Sequence, residues 1–348
     1  MSMFAGLRRE RVEASPQFDG KTFRNPPRSA KGGATGAAVQ KPNPAPVMRE
    51  YFFGGGERVP SAELPIVRPH DAWTVPARDK LRVTWLGHST VLLEIDGFRV
   101  LTDPVFGERA SPLSFAGPKR FHPVPATIHE LPALDAVLLS HDHYDHMCAP
   151  TIRALAGMHM PIVTSLGVGA RLESMGVAKE RITELDWGED ADVRGLRFTA
   201  TPCQHFSGRT AFDRNRTLWS SWVIRGDDTK VFFSGDSGLT DQFRETGDTH
   251  GPFDLVMLEI GAFHEAWGDM HLGPKNALKA FSMLGGGTLL PVHWGTFNLA
   301  LHDWHEPAET LVRLAEEQSV RVLTPKLGEV FVPTQVEGAA PWWRQLVS

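Results

Sequence analysis

From Leu81 onward the apolar positions fall into short runs separated by glycine, proline and polar residues. Arg82 to Leu86, Val91 to Ile95 and Phe98 to Thr102 read as strands, with Asp96-Gly97 as a hairpin turn between the last two. Val137-Leu138-Leu139 reads as a short buried strand. Further strand-like runs lie at Pro161 to Thr164, Leu196 to Thr201, Leu218 to Ile224, Lys230 to Ser234, Leu255 to Glu259, Thr288 to Val292 and Arg321 to Thr324. Helical patterns cover Thr151 to Ala156, Ala170 to Met175, Pro274 to Met283 and Pro307 to Glu317, the last two opening on a proline that a first helical turn tolerates. Strands with flanking helices in two successive halves predict an α/β (α+β) fold, a four-layer αβ/βα sandwich. Residues 1–60, rich in glycine, alanine and proline, predict a partly disordered or wrapping arm ahead of one folded domain over 61–348. The arm's Arg8, Arg9, Arg11, Lys21, Arg24, Arg28 and Lys31 offer charge to anionic lipid headgroups, although a solvated tail is the plainer expectation.

Directly after the strand at Val137 comes Ser140-His-Asp-His-Tyr-Asp-His146. Candidate ligands this dense on a strand-end loop predict a metal site, because alternate side chains of an irregular segment converge on one point. Imidazole and carboxylate donors suit zinc; His141 and His143 face one ion, and Asp145 and His146 turn toward a second. The rest of the chain repeats the strand-then-ligand arrangement at His205 in Thr201-Pro-Cys-Gln-His205, at Asp236 in Ser234-Gly-Asp236-Ser-Gly, and at His293 in Leu290-Pro-Val-His293-Trp-Gly.

This order of motifs resembles the metallo-β-lactamase superfamily. Within it, Trp85-Leu-Gly-His88-Ser-Thr, Leu101-Thr-Asp103-Pro, Gly117-Pro-Lys-Arg-Phe121, Leu218-Trp-Ser-Ser-Trp222, Gly251-Pro-Phe-Asp254 and His293-Trp-Gly-Thr-Phe297 resemble the N-acylphosphatidylethanolamine-hydrolysing phospholipase D family, in blocks from about Arg82 to about Val332. The resemblance implies two Zn2+ per chain: His141, His143 and His205 on the first, Asp145, His146 and His293 on the second, and Asp236 bridging. It also implies hydrolysis of N-acylphosphatidylethanolamine or a related phospholipid, to an N-acylethanolamine and phosphatidic acid, by a hydroxide that the two ions share. Asp145 and Asp236 are then the catalytic carboxylates. Tyr144 and His271 occupy positions resembling those that contact substrate, against the plainer readings of a packing aromatic and a surface histidine. Asp103 is the candidate for orienting a ligand histidine, while His88 is either such a residue or simply core. Ser111 to Phe121, with Phe212, Trp219, Phe263 and Trp267, has the composition of an apolar groove, although any single aromatic is more often core.

A formal net charge of −5 without a long basic run argues against nucleic acid as a partner. Cys148 and Cys203 are the only cysteines; both adjoin motif segments, and so few in 348 residues fit a reducing compartment. No apolar stretch reaches membrane-span length, so the expectation is a cytoplasmic enzyme with peripheral membrane contact open to it. The resemblance is compatible with a homodimer. The alternative activity is a metal-dependent lactonase or other ester hydrolase of the same fold. A di-iron redox centre fits less well because His143 is intact, and a non-enzymatic binding module fits least because every expected ligand is present.

Overall fold

The computed structural model describes residues 3–27 and 56–347. Its strands form two sheets. The first runs in the order β13 (Val330–Phe331), β1 (Leu81–Gly87), β2 (Thr90–Ile95), β3 (Phe98–Thr102), β4 (Ala136–Leu139), β5 (Ile162–Ser165), β6 (Ile182–Leu185). The second runs β12 (Leu289–Val292), β11 (Leu255–Glu259), β10 (Lys230–Phe233), β9 (Ser221–Arg225), β8 (Leu196–Thr201), β7 (Asp190–Val193). Each sheet is antiparallel at one side and parallel at the other: β3, β4, β5 and β6 run parallel, as do β10, β11 and β12. The parallel halves bring the C-terminal ends of their strands to one edge of each sheet.

The period-2 alternation of the strands sorts their side chains between layers. Val83, Trp85, Val91, Leu93, Val100 and Leu138 join a cluster that also holds Phe198, Trp222, Ile224 and Phe232 of the second sheet, so this core lies between the sheets. Leu92, Leu101, Val137, Leu139 and Ile162 point the other way, to Ile152, Leu155 and Leu172 of helices α3 (Ala149–Ala156) and α4 (Gly169–Ser174). On the second sheet, α6 (Gly273–Met283) and α7 (Glu306–Glu317) bury Ala277, Leu278, Phe281, Leu311 and Val312. Helices on both outer faces of two packed sheets make the expected four-layer αβ/βα sandwich.

Several elements depart from the sequence pattern. Helix α5 (Gln242–His250) buries only Phe243 and Thr246, too few apolar residues to mark a helical face. Strands β6 and β7 are half-exposed edges, and β7 reads Asp-Ala-Asp-Val. Arg321 to Thr324 is not a full strand; it meets β12 through a single bridge from Leu289 to Val322. The run from Leu218 becomes a strand only at Ser221, because Leu218 and Trp219 fill a separate small core.

That small core is built with the amino-terminal arm. Phe4, Val12 and Phe23 pack with Leu166, Cys203, Leu218 and Trp219. Helix α1 (Gly6–Ala14) is pinned by Arg8 to Glu173 and Glu184, at 2.7 and 2.5 Å, and by Arg11 to Glu189. Arg9 pairs with Glu13 and Arg24 with Asp19, so these arm cations are met within the protein. Residues 28–55, which include Arg28 and Lys31, lie outside the described residues, as does the expectation of disorder there. Both cysteines are buried and free. Among the described residues no helix is long and apolar enough to cross a membrane.

The carboxy-terminal segment closes the fold behind the His293 loop. Trp294 stacks on Trp85 at 5.2 Å and on Trp342 at 5.7 Å, and meets Trp343 edge-on at 5.2 Å. Trp343 is fully buried and donates from Nε1 to Glu309 at 2.9 Å. Trp343→Ala therefore removes a large buried side chain and leaves the Glu309 carboxylate short of a donor. We expect a loss of about 3–5 kcal/mol in urea unfolding; a loss below about 1 kcal/mol would show that the segment is not part of the core.

Candidate metal centre

The residues that carry chemistry sit just past strand ends: His88 after β1, Asp103 after β3, His141 after β4, His205 after β8, Asp236 after β10 and His293 after β12. Turning a side chain inward at the end of a strand takes unusual backbone. His88, Asp103 and His293 have φ of 53°, 32° and 64°, in the left-handed region that costs a side-chain-bearing residue energy and collects at functional sites. Gly235, at φ 54°, lets the Asp236 loop pass Ser140, whose Cβ would lie 2.7 Å from any Cβ placed there. The motif after β4 closes as a tight turn, with the amides of His146 and Met147 both donating to the His143 carbonyl at 3.2 and 2.7 Å.

The side chains converge in two groups. His141 Nε2 lies 2.8 Å from His143 Nδ1, and His205 Nε2 lies 3.3 Å from the same Nδ1, so three ring nitrogens face one point. Asp236 completes this group, and His88, Asp145, His146 and His293 form the other; the ligand atoms of each lie within 4.8 Å of one another. Asp236 Oδ2 joins the two, at 3.1 Å from His146 Nε2, 3.3 Å from His293 Nε2, 3.6 Å from His205 Nε2 and 3.8 Å from His141 Nε2. His293 Nε2 is also 3.3 Å from Asp145 Oδ2, and His88 Nε2 is 3.1 Å from that oxygen.

The nitrogens turned away from the centre are held for His146, His141 and His205, whereas Nδ1 of His293 and Nδ1 of His88 are buried without a partner. Asp103 Oδ2 lies 2.7 Å from His146 Nδ1, while its Oδ1 accepts the Ser140 amide at 2.7 Å. Ser140 Oγ donates to Asp103 Oδ2 at 2.6 Å and lies 2.9 Å from His141 Nδ1. His205 Nδ1 lies 3.1 Å from the Met270 carbonyl. By contrast His146 Nε2, His293 Nε2 and Asp236 Oδ1 are buried with no hydrogen-bond partner. Buried polar atoms are rarely left so. Orphaned donor atoms facing inward, with the rings of His141, His146 and His205 braced from behind, fit metal ions of the N/O-ligand class.

Electrostatics agree. Burial opposes charge on His146, yet Asp236, Asp145 and Asp103 outweigh it and lift its pKa well above the ordinary value. His293 is raised to about 10, burial again being outweighed by Asp236 and Asp145. Burial pushes the two carboxyls up, but the surrounding imidazoles win and hold Asp145 and Asp236 well below the ordinary carboxylate range. Burial drives His141 and His205 well below the imidazole value, and lowers His88 to about 3. The centre thus keeps anionic carboxylates and calls for positive charge beside them, which bound cations supply by displacing ring protons.

A cavity of about 440 Å³ opens over this floor, lined by His143, Asp145, His205, Asp236, His271 and His293 together with Phe206, Arg214, Ala262, Trp267, Met270 and Leu299. His271 is one of the lining residues. Its Nδ1 lies 3.3 Å from Glu259 Oε1, and Glu259 is fully buried at the end of β11. Burial works against charge on His271, but Glu259 outweighs it and raises the pKa. Tyr144 is not among the lining residues. Its hydroxyl donates to the Arg209 carbonyl at 2.8 Å and the Arg209 guanidinium covers its ring at 3.9 Å, so here it braces a loop. Of the suggested groove aromatics, Trp267 lines the cavity, Trp219 is buried in the small core, and Phe212 is 96% exposed. Glu259 and Arg214 are residues that sequence reasoning left unassigned, while His88, read there as orienting a ligand histidine or as core, stands 3.1 Å from Asp145 Oδ2. Only His88 carried a signal, its place after a strand.

A family model described as Beta-lactamase superfamily domain matches residues 98–294. An uncharacterized protein of Mycobacterium tuberculosis (strain ATCC 25618 / H37Rv) is 48% identical over 293 residues, 82% of this chain and 77% of that protein. N-acyl-phosphatidylethanolamine-hydrolyzing phospholipase D 1 of Caenorhabditis elegans is 32% identical over 342 residues, 91% of this chain and 94% of that enzyme. Among solved structures, an isothiocyanate hydrolase from Delia radicum gut bacteria shares the fold, with a TM-score of 0.59 at 24% identity over 72% of this chain and 98% of that one. With two His/Asp clusters at the strand ends of an αβ/βα sandwich, the chain belongs to the metallo-β-lactamase superfamily as a metal-dependent hydrolase, and resembles its N-acylphosphatidylethanolamine-hydrolysing members along most of its length.

Proposed function

We propose that this hydrolase is a dizinc phosphodiesterase of phospholipase D type. It cleaves N-acylphosphatidylethanolamine or a related phospholipid to an N-acylethanolamine and phosphatidic acid. The observation that carries the reading is the pair of ligand groups joined by one Asp236 oxygen on the floor of a single cavity. Whole-chain similarity to the Caenorhabditis elegans enzyme supports the substrate class. His141, His143, His205 and Asp236 would hold one ion, and Asp145, His146, His293 and Asp236 the other. Two divalent cations there supply electrophilic stabilisation of a phosphodiester and activation of water.

The protein's own groups set what the cavity accepts. Asp145 retains 16% side-chain exposure where Asp236 retains 2%, so Asp145 is the carboxylate able to orient water as well as bind. Glu259 faces Nδ1 of His271 at 3.3 Å and leaves Nε2 as the nitrogen available to substrate oxygens. Arg214 sits with its guanidinium 4.1 Å above the Phe206 ring and has no carboxylate partner among the described residues. An unpaired cation on a mostly apolar wall suits an amphiphile with an anionic phosphate. Phe206, Trp267, Met270 and Leu299 give apolar surface to the rest of such a molecule. Phe212, exposed on the loop that carries His205 and Arg214, adds apolar surface near that wall.

Purified protein of measured zinc content, given a defined N-acylphosphatidylethanolamine, should release N-acylethanolamine detectable by mass spectrometry, and a chelator should abolish release. Two bound metals with no phosphodiester turnover, beside hydrolysis of a lactone, would overturn the phosphodiesterase reading. His293→Ala should retain the fold by circular dichroism while losing one metal and nearly all activity; full two-metal occupancy would refute its assignment as a ligand. Arg214→Ala should raise KM roughly 10-fold or more, the scale of a charge-assisted hydrogen bond, and leave metal content unchanged. An unaltered KM for anionic substrate would remove Arg214 from the binding site.

A further inference from the structure

We infer that the amino-terminal arm is a working part of the metal centre, with Asn25 as the residue that positions His205. The inference rests on the metal-centre reading and is independent of which substrate is hydrolysed. Asn25 Nδ2 donates to the His205 carbonyl at 2.9 Å, and the His205 amide donates to Asn25 Oδ1 at 2.8 Å. Trp219 Nε1 donates to the same Oδ1 at 3.2 Å, steadying the amide plane. A primary amide presents an N–H donor and a carbonyl acceptor side by side, so it pairs with both main-chain groups of one residue as a neighbouring strand would.

His205 needs that partner because it stands beyond the end of β8, where sheet pairing has stopped. The residue before it is still held, since Gln204 accepts the Gly238 amide at 2.8 Å and donates its own to Ser237 Oγ at 3.0 Å. At His205 the main chain turns to Asn25 instead. Its ring is held by the Met270 carbonyl alone on the Nδ1 side, and Nε2 faces His143 and Asp236. Without the amide clamp, His205 would lose both of its main-chain hydrogen bonds, and its ring would be referred to the fold by the Met270 carbonyl and by the ties of its neighbours Gln204 and Ser207.

The arm delivers Asn25 to a fixed place. Two residues earlier Phe23 is fully buried, and its amide donates to the Asn215 carbonyl at 2.8 Å. Further back, Arg8 is anchored to Glu173 and Glu184. The His141, His143, His205 and Asp236 group is therefore completed by a segment 180 positions away in the chain from the residue it steadies. Partners that hold a ligand from behind typically govern metal affinity by roughly 10–100-fold.

The test uses the full chain as Asn25→Ala and Asn25→Asp, with Arg24→Ala as an arm control. Each protein is loaded with cobalt(II), its visible absorption spectrum is recorded, and metal affinity is measured by competition with a chelator. Melting of the metal-free proteins is followed in parallel. We expect both Asn25 variants to bind one of the two metals roughly 10–100-fold more weakly, with an altered cobalt spectrum and a metal-free melting temperature matching that of Arg24→Ala. Arg24→Ala should bind as the unaltered protein does. Asn25→Asp keeps the acceptor for the His205 amide and Trp219, so it decides the matter should Asn25→Ala fail to fold. Unchanged affinity and spectrum in Asn25→Asp would overturn the inference, as would equal weakening of both metals. Unaltered protein that takes up no cobalt overturns the metal-centre reading and this inference with it. Cobalt binding without phosphodiester turnover fails only the substrate reading and leaves Asn25 to be decided by its variants.

Discussion

Two buried carboxylates among imidazoles are the constraint on which this structure depends. Asp145 and Asp236 are taken almost wholly from water, a transfer that costs several kcal/mol per charge unless compensated, and one oxygen of Asp236 stands within 3.8 Å of four histidine nitrogens. Hydrophobic packing cannot supply that compensation. Positive charge must be held at the same point, by protons on His146 and His293 or by the metal ions their inward nitrogens fit. The fold is a means of keeping those side chains together.

It does so by making strand ends coincide. Parallel pairing of β3, β4 and β5 in one sheet, and of β10, β11 and β12 in the other, carries Asp103, His141, Asp236 and His293 to one side of the sandwich. The central strands of both sheets are buried on both faces, so their register is fixed by the core, and a ligand just past a strand end inherits that precision. The residues that must turn inward pay in backbone conformation, as at His88, Asp103 and His293. Packing answers this strain from behind: Trp294, next to His293, is clamped between Trp85 and Trp342.

What the sequence disclosed follows the same physics. Core strands such as β1, β2, β4 and β11 were legible because burial on both faces leaves a nearly continuous apolar run. The ligand residues were legible because all seven lie in short segments after such runs or within one contiguous motif. Elements held at the rim were not: β7 is an edge strand of alternating aspartates, and α5 buries two side chains. Long-range pairings left no local mark either. Glu259 reads as the end of an apolar strand until His271 is seen beside it, and Asn25 lies in a stretch whose composition resembles a loose tail. Tyr144 shows how position in a motif leaves side-chain direction open. Its place within the motif pointed to substrate, yet alternation along the turn sends its ring under Arg209.

Metal chemistry and substrate choice therefore rest on different parts of the chain. The floor is fixed by strand ends, and similar floors serve unlike hydrolases across the superfamily. The wall is made mainly by two loops, 202–220 with Phe206 and Arg214, and 260–272 with Ala262, Trp267, Met270 and His271, with Leu299 added from the loop after β12. The first loop is itself braced by the arm, through Phe23 on Asn215 and Asn25 on His205. The second is tied to the floor by Glu259, which accepts the Leu272 amide at 2.7 Å. A change in either loop can alter what is bound without disturbing the ligands beneath, whereas a change in the arm acts on floor and wall together. Residues 3–27, which looked most dispensable by composition, are thus coupled to the chemistry through His205.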